Sequence, residues 1–141
     1  MIVTAIHNTR NVLPEIIRDD AYGYSPNGIL PITIGKDYVV AAIIDNIKLG
    51  KYYLIIPDDG ELKAYPWSFP AQLFETKDDY TPEDWETYTG TDYEITGFPE
   101  ITHDPDGKYF NNLEDGAEYA IHTFLKHFDK YAKHHNLKTF N

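Results

Sequence analysis

The residues best suited to chemistry in this chain are carboxylates and tyrosines that lie close together between positions 78 and 94. Seven acidic side chains are interspersed with three tyrosines, and the set is Asp78, Asp79, Tyr80, Glu83, Asp84, Glu86, Tyr88, Asp92, Tyr93 and Glu94. Tyrosines supply rigid contact area and carboxylates pair with lysine or arginine, a mixture that is common in protein interfaces. The pattern predicts a surface that binds a basic partner protein; a solvated acidic loop that only keeps the protein soluble is the competing interpretation.

The negative charge of the chain is concentrated around this set. The net charge is −11, and residues 75–118 hold 14 acidic residues against only Lys77 and Lys108, a net charge of −12. Residues 1–74 carry −2 and residues 119–141 carry +3. Such a segment repels nucleic acid and anionic membrane surfaces, and it attracts and steers a basic protein. We therefore expect a basic protein partner, no nucleic acid and no membrane; the sequence leaves the oligomeric state open.

The histidines are the next candidates, and they are His7, His103, His122, His127, His134 and His135. His127 and His134 are seven residues apart, so on a helix they share a face, but they do not form the i, i+4 pair of the HExxH motif. The segment from His103 to Gly107 is similar to a calcium loop, yet its glycine falls at the wrong position. We expect exposed histidines, a plain turn, no metal and no cofactor.

Motifs for catalysis are missing from the sequence. There is no cysteine, and Ser25 and Ser68 lie outside any GxSxG pattern. Neither a Walker A motif nor GxGxxG is present. We therefore expect a protein that is not an enzyme. The many carboxylates leave open a small hydrolase with paired acids, which predicts a deep pocket with two convergent carboxylates or a raised carboxyl pKa.

The totals place these residues in one globular domain, residues 1–141, in the cytoplasm. The 141 residues are 42% hydrophobic and 15% aromatic, as in a globular chain. The lack of cysteine fits a reducing compartment. The N-terminal residues do not form a basic region followed by an apolar one, and no apolar run is long enough to span a membrane.

The first 75 residues are predicted to be a β-rich core. Predicted strands are Ile2–Ile6, Tyr38–Ile44, Tyr52–Ile56 and Glu61–Tyr65, with short extended or irregular pieces at Leu13–Ile17, Ile29–Ile34 and Gln72–Glu75. Turn residues at Asp58–Gly60 join two of the strands, which predicts a β-meander. The strand Tyr38–Ile44 is apolar on both faces, so something must cover each side of it.

The rest of the chain is predicted to be an acidic segment, 75–118, and a C-terminal helix, 112–137. Thr81 and Pro82 are typical of a short helix start, Trp85 anchors the segment to the core, and Tyr93–Phe98 is a further strand. From Asn112 to Leu137, apolar residues recur at spacings of three and four, which predicts a long amphipathic helix that covers the meander. The expected fold class is therefore α+β.

Four short motifs carry a resemblance to a known family. They are Gly35-Lys36-Asp37-Tyr38-Val39-Val40, Tyr52-Tyr53-Leu54-Ile55, Asp58-Asp59-Gly60 and Leu73-Phe74-Glu75. They resemble small bacterial and phage SH3-like β-barrel proteins over residues 30–75, with a longer insertion at Trp67–Gln72. The resemblance implies a small antiparallel, partly closed SH3-like barrel or meander packed against the C-terminal helix. In its acidic, cysteine-free character the chain is also similar to immunity proteins of bacterial toxin systems, many of which block a basic nuclease toxin.

Three functional hypotheses follow. The leading one is an immunity protein that neutralises a basic nuclease-type toxin by occluding its active cleft with the acidic surface. The second is an SH3-like module that binds a peptide or a cell-wall ligand in an exposed groove formed by Tyr52, Tyr53, Tyr65 and Trp67. The third is the small hydrolase with paired carboxylates.

Overall fold

The fold is that of a computed structural model, which describes residues 1–14, 29–58, 66–103 and 108–135. Its strands are β1 (Ile2–Ala5), β2 (Asp37–Val39), β3 (Ala42–Asn46), β4 (Gly50–Ile55), β5 (Trp67–Pro70), β6 (Phe74–Asp78), β7 (Glu86–Thr89) and β8 (Tyr93–Gly97). Its α-helices are α1 (Pro99–Thr102), α2 (Lys108–Glu114) and α3 (Glu118–His134), and short 3-10 turns lie at Arg10–Val12 and Ala71–Leu73.

The strands form two antiparallel sheets, one ordered β2-β1-β6 and the other β5-β4-β3-β8-β7. The predicted α+β class, with antiparallel sheets and a C-terminal helix, is confirmed. The antiparallel pairing of the first two meander strands is confirmed as β3 and β4, whereas the strand on the other side of β4 is β5, where only an irregular insertion was predicted. Among the strands described here the sheets stay open, so closure into a barrel is not confirmed.

The prediction of one strand over Tyr38–Ile44 is wrong, because the chain changes sheet at Val40 and Ala41. The amide of Val40 donates to the carbonyl of Met1 at 3.0 Å, beside β1, and that of Ala41 donates to Leu54 at 2.8 Å, beside β4. Both side chains are fully buried. The run is apolar on both faces because it passes between the two sheets, which is how strands turn corners in orthogonal packings.

Side chains of β4 alternate between two cores, as the twofold period of a strand requires. Tyr53 and Ile55 point into a core shared with the three-stranded sheet. Leu54 packs in a second core, which it shares with the helices. The buried face of α3 supplies Ala120, Phe124, Phe128, Tyr131 and Ala132 to that second core. The predicted cover of the meander by the C-terminal helix is thereby confirmed.

The prediction of one helix from Asn112 to Leu137 is wrong at its start. Asn112 lies inside α2, and the chain breaks at Gly116, whose φ is 75°. The amide of Gly116 donates to Leu113 at 3.2 Å and that of Ala117 donates to Asn112 at 2.9 Å. These two bonds form a Schellman motif, which ends a helix at a glycine in the left-handed region. Helix α3 then begins at Glu118 and confirms the prediction as far as His134; residues 136–141 lie outside the described ranges.

The helix start predicted at Thr81 is also wrong. The amide of Trp85 donates to Pro82 at 3.1 Å, which closes a single turn, and strand β7 follows directly. Glu86–Thr89 contains threonines and a tyrosine, which favour a strand. Trp85 contacts both cores, so its predicted role as an anchor is confirmed.

Some of the remaining predictions are confirmed, and others lie outside the described residues. The strands expected at Ile2–Ile6, Tyr52–Ile56 and Tyr93–Phe98 are confirmed to within two residues at each end. Helix α1 was not predicted. The expected strand Glu61–Tyr65, the end of Leu13–Ile17 and most of the loop at 103–108 lie outside the described residues. Within the described part of the chain, no helix has the length and apolarity needed to cross a membrane.

Candidate functional site

The β7–β8 hairpin carries five of the ten predicted contact residues at the outer edge of the five-stranded sheet. Thr87 lies opposite Thr96 and Thr89 lies opposite Glu94. Because side chains alternate along a strand, Glu86, Tyr88 and Tyr93 share the face that the helices cover in part, and Glu94 points to the other face. Asp92, the fifth, lies in the turn.

An aromatic and aliphatic row crosses the helix-side face of the sheet next to this hairpin. Tyr52 pairs with Ile44, Ile44 with Ile95, and Ile95 with Tyr88, so the four side chains are direct cross-strand neighbours. The ring of Tyr93 lies 6.2 Å from that of Tyr88. All five residues are half-buried. Neighbouring rings of this kind give a rigid contact surface.

A cavity of about 280 Å³ lies at the tip of the hairpin. It is lined by Asp45, Ile47, Thr89, Gly90, Tyr93 and Glu94. The amide of Ile47 donates to the carbonyl of Asp92 at 2.9 Å, which joins the β3–β4 turn to the β7–β8 turn. Ile47 itself is 76% exposed. Apolar surface and carboxylates therefore meet around one cavity.

Two carboxylates face each other at this cavity. Asp45 on β3 is the direct cross-strand neighbour of Glu94 on β8, and Lys51 is the neighbour of Asp45 on the other side. Like charges directly opposite each other destabilise a sheet. A cation placed between the two carboxylates would offset that repulsion. Asp45 and Ile47 were not among the predicted contacts, because only the pairing of β3 with β8 brings them to the hairpin.

Other predicted contact residues are paired within the chain. The pairs are Glu86 with His103, Asp84 with His127 at 3.6 Å, and Asp78 with His135 at 3.3 Å. The prediction of histidines that are simply exposed is therefore wrong for His127 and His135, whose side chains are only 17% and 8% exposed. These pairs hold the acidic segment against the C-terminal helices.

Two histidines, His103 and His127, face Glu86 and Asp84, and His127 is the more enclosed of the two. Its Nε2 lies 3.0 Å from Oε2 of Glu100. Its ring stacks on Phe98, with centroids 4.3 Å apart and planes 12° apart. The side chain of Asp84 is thus turned partly toward α3, so it contributes less to an outer surface than its exposed neighbour Glu83.

A second, larger cavity of about 630 Å³ lies between the three-stranded sheet and the end of α3. Its lining is Ile2, Asp37, Thr76, Lys77, Asp78, Asp79 and His135. Tyr80 lies beside it and stacks on His134, with centroids 4.1 Å apart. The predicted residues Asp78, Asp79 and Tyr80 therefore belong to this part of the surface, whereas Tyr88, Asp92, Tyr93 and Glu94 lie at the hairpin.

The electrostatics of the larger cavity are mixed in sign. Hydrogen bonds from Lys77 and Thr4 lower the pKa of Asp37. The bond from the amide of Tyr80 lowers the pKa of Asp78. Burial is the main cause of the lowered pKa of His135. The larger cavity is lined by Lys77 and His135 as well as by three carboxylates, whereas the charged residues that line the cavity at the hairpin tip, Asp45 and Glu94, are both acidic. The hairpin tip is therefore the more uniformly acidic of the two.

The aromatic groove of the second hypothesis does not match the geometry. Tyr53 is only 7% exposed and its ring lies 6.0 Å from that of Phe74 in the core. Tyr52 is adjacent in β4, so it faces the opposite side of the sheet. Trp67 stacks on Phe69, and Tyr65 lies outside the described residues.

The hydrolase hypothesis predicts a deep pocket with two convergent carboxylates or a raised carboxyl pKa, and it stays a prediction. Among the described carboxyl groups, those with a displaced pKa, Asp37, Asp58 and Asp78, all have it lowered, so the second signature is not seen in them. Among the described residues no cluster of three or more potential ligands could hold a metal ion.

Comparison of the chain with protein-family models, curated proteins and solved structures finds no match.

Proposed function

We propose that this chain is an acidic cytoplasmic binding protein and that the tip of its β7–β8 hairpin docks a basic partner protein. The observation that carries the proposal is the direct opposition of Asp45 and Glu94 beside the cavity at the tip. A lysine or arginine side chain suits this cavity: its stem would lie along Ile47 and Tyr93, and its charged end would meet the two carboxylates.

The charge around the hairpin supports the same partner class. No lysine or arginine occurs between Lys77 and Lys108, so the charge of the hairpin itself is negative, and Lys51 beside Asp45 offsets part of the resulting field. Such a field raises the association rate of a basic protein, and it disfavours nucleic acid and anionic membranes. Tyr88 and Tyr93 add the rigid aromatic area that dominates the energy of many interfaces.

We further propose that the partner is a basic, nuclease-type bacterial toxin and that the chain acts as its immunity protein by covering the active cleft. Carboxylates that occupy a basic cleft would displace the phosphates that the cleft binds. A partly closed SH3-like barrel stays a prediction; the run from Asp37 to Asn46, which takes part in both sheets, supports it.

The test is capture of partners from a lysate of the source organism. The hairpin variant combines Asp45→Asn, Asp92→Asn and Glu94→Gln. The control combines Glu75→Gln, Asp115→Asn and Glu118→Gln, which removes the same charge from exposed sites elsewhere. We expect the wild type and the control to retain a strongly basic protein, and the hairpin variant to retain about tenfold less of it.

A second measurement tests the inhibitory role. The purified basic protein is assayed for nuclease activity, which one equivalent of the wild type should abolish and the hairpin variant should leave largely intact. Capture of only neutral or acidic proteins, or equal capture by all three chains, would contradict the binding proposal. Capture of a basic protein without any nuclease activity would contradict the immunity role alone.

A further inference from the structure

We propose that β7 accepts an extended, lysine- or arginine-bearing segment of the partner as a sixth strand of the five-stranded sheet. This inference rests on the proposed function, since it concerns the same basic partner at the same hairpin. It adds the binding mode: main-chain hydrogen bonds along a sheet edge, with alternate side chains read by the surfaces on either side.

The outward-facing groups of β7 follow from its pairing with β8. The amide of Gly90 donates to the carbonyl of Tyr93 at 2.8 Å, so these two residues form a hydrogen-bonded pair. Such pairs alternate with non-bonded pairs along an antiparallel ladder. The next bonded pair is Tyr88 with Ile95, and the non-bonded positions of β7 are Thr87 and Thr89. The N–H and C=O groups of Thr87 and Thr89 therefore point away from β8.

Strand β7 is an outer edge strand with fewer protective features than β5 and β6. In the described part of the chain no strand lies on its outer side. Its four residues pair with β8 in continuous register and include no proline, lysine or bulge. By contrast, the edge strand β5 ends in Pro70, and β6 carries Lys77 and pairs irregularly with β1. Proteins use such features to stop strands from adding to an edge, and β7 has only its short length and the charge of Glu86 in their place.

The charges beside β7 select the chemistry of the added strand. Residues of that strand on one face would lie beside Thr87 and Thr89, with Glu94 on the next strand beyond them. Residues on the other face would lie beside Tyr88 and beside Glu86, which also pairs with His103. Carboxylates pair with lysine or arginine, and a tyrosine ring attracts a cation as well. An acidic or neutral strand would gain only the main-chain bonds. A basic strand is therefore the occupant that the edge favours over a second copy of this acidic chain.

Two pairs of variants separate main-chain bonding from side-chain contacts. Thr87→Pro and Thr89→Pro each remove an outward N–H, and proline is tolerated on an edge where that group faces solvent. Thr87→Val and Thr89→Val keep the N–H and remove only the hydroxyl groups, which contact Thr96 at 2.9 Å and Glu94 at 3.3 Å. Thermal unfolding and circular dichroism are measured first, to check that all four variants fold.

The probe is a fluorescein-labelled heptapeptide of alternating lysine and valine, and binding is followed by fluorescence anisotropy. We expect the proline variants to raise Kd about tenfold or more and the valine variants to change it by less than about twofold. Amide hydrogen exchange of Thr87 and Thr89 should slow about tenfold in the complex. A heptapeptide of alternating glutamate and valine should not bind.

The inference is overturned if the proline and valine variants bind with equal Kd values, or if hydrogen exchange at Thr87 and Thr89 is unchanged in the complex. It is also overturned if the basic peptide does not bind the wild type, or if the wild type forms a dimer that Thr87→Pro dissociates. The proposed function is judged separately. If the proline variants bind normally while the Asp45, Asp92 and Glu94 variant does not, strand addition fails and charge-directed binding at the hairpin stands. Equal binding of the acidic and basic peptides contradicts both.

Discussion

Glu100 and His127 join the first and last helices, with Oε2 of Glu100 3.0 Å from Nε2 of His127. The face of the same imidazole stacks on Phe98, and its other nitrogen faces Asp84. One histidine therefore connects the turn before β7, helix α1 and helix α3. Its contacts add to the strand pairing of β6 and β8 and to the packing of Trp85, which attach the acidic segment to the rest of the fold.

Replacement of His127 should show that ring packing, more than charge pairing, carries its contribution to stability. Partly exposed ion pairs contribute about 0–1 kcal/mol, whereas a stacked aromatic pair adds roughly 0.5–1.5 kcal/mol beyond the area that it buries. We expect His127→Ala to lower the free energy of unfolding by about 2 kcal/mol and His127→Phe to lower it by less than about 1 kcal/mol. Urea unfolding at pH 7 measures both, and equal losses in the two variants would show that the ion pairs dominate.

Asp58 gives the fold a dependence on acid pH. Burial raises the pKa of its carboxyl group, but hydrogen bonds from Lys36, Thr33 and Tyr38 outweigh burial, and the pKa is lowered overall. The three bonds measure 2.8, 2.5 and 2.8 Å. Burial also raises the pKa of Tyr38 to about 12, so its hydroxyl group stays a donor at neutral pH.

The sign of the resulting pH effect is fixed by the lowered pKa of Asp58. Because its carboxyl pKa in the folded chain lies below the ordinary value of 3.8, the unfolded chain binds more protons in that range. Its contribution is present above pH 4 and is lost as the pH falls through the folded pKa. We expect Asp58→Asn to lower the free energy of unfolding by about 1–3 kcal/mol at pH 7 and to flatten its decline below pH 4. Urea unfolding from pH 7 to pH 2.5 tests this, with the exposed Glu75→Gln as the control; an unchanged acid slope in Asp58→Asn would contradict it.

Local pattern was enough to predict the elements whose side chains alternate cleanly. β1, β4 and β8 follow from β-branched and aromatic residues, and α3 follows from apolar spacings of three and four. The change of sheet at Val40 could not be predicted, because an apolar run has the same pattern whichever sheet it joins. The break at Gly116 was hidden for a similar reason: Leu113 and Ala117 keep a spacing of four across it.

The binding surface was predictable in composition but not in geometry. The sequence identifies the acidic segment with Tyr88 and Tyr93, whose rings are neighbours in the fold, but not the hairpin that they belong to. It does not reveal that Asp45 faces Glu94, because that contact depends on the pairing of strands far apart in the chain. Nor does it reveal that Asp78 is paired with His135, since a contiguous acidic run gives no sign of which members turn inward.

The repulsion between Asp45 and Glu94 predicts a variant that gains stability and loses binding. Glu94→Lys converts a like-charge cross-strand pair into an opposite-charge pair, which should raise the free energy of unfolding by about 0.2–1 kcal/mol. The same change should abolish retention of the basic partner, because it places a cation in the proposed cavity. The control is Glu75→Lys, which should gain no such stability, because Glu75 on β6 lies opposite the uncharged Thr4 on β1. A loss of stability in Glu94→Lys would show that the carboxylate has a structural role, and normal retention of the basic partner would show that it takes no part in binding.

Replacing Gly116 with alanine should change stability in opposite directions if α2 and α3 form one continuous helix and if they are separated by a break. In a continuous helix, Gly116→Ala would stabilise the protein by up to about 1 kcal/mol, because alanine is the better helix former. With φ at 75° in a Schellman motif, an added Cβ is strained, so we expect a loss of about 1–2 kcal/mol. Thermal unfolding measures the sign, and Asp115→Ala, the preceding exposed residue, is the control. A rise in Tm for Gly116→Ala would mean that α2 and α3 form one helix, which would also displace the residues of α3 that hold Asp84 and Glu100.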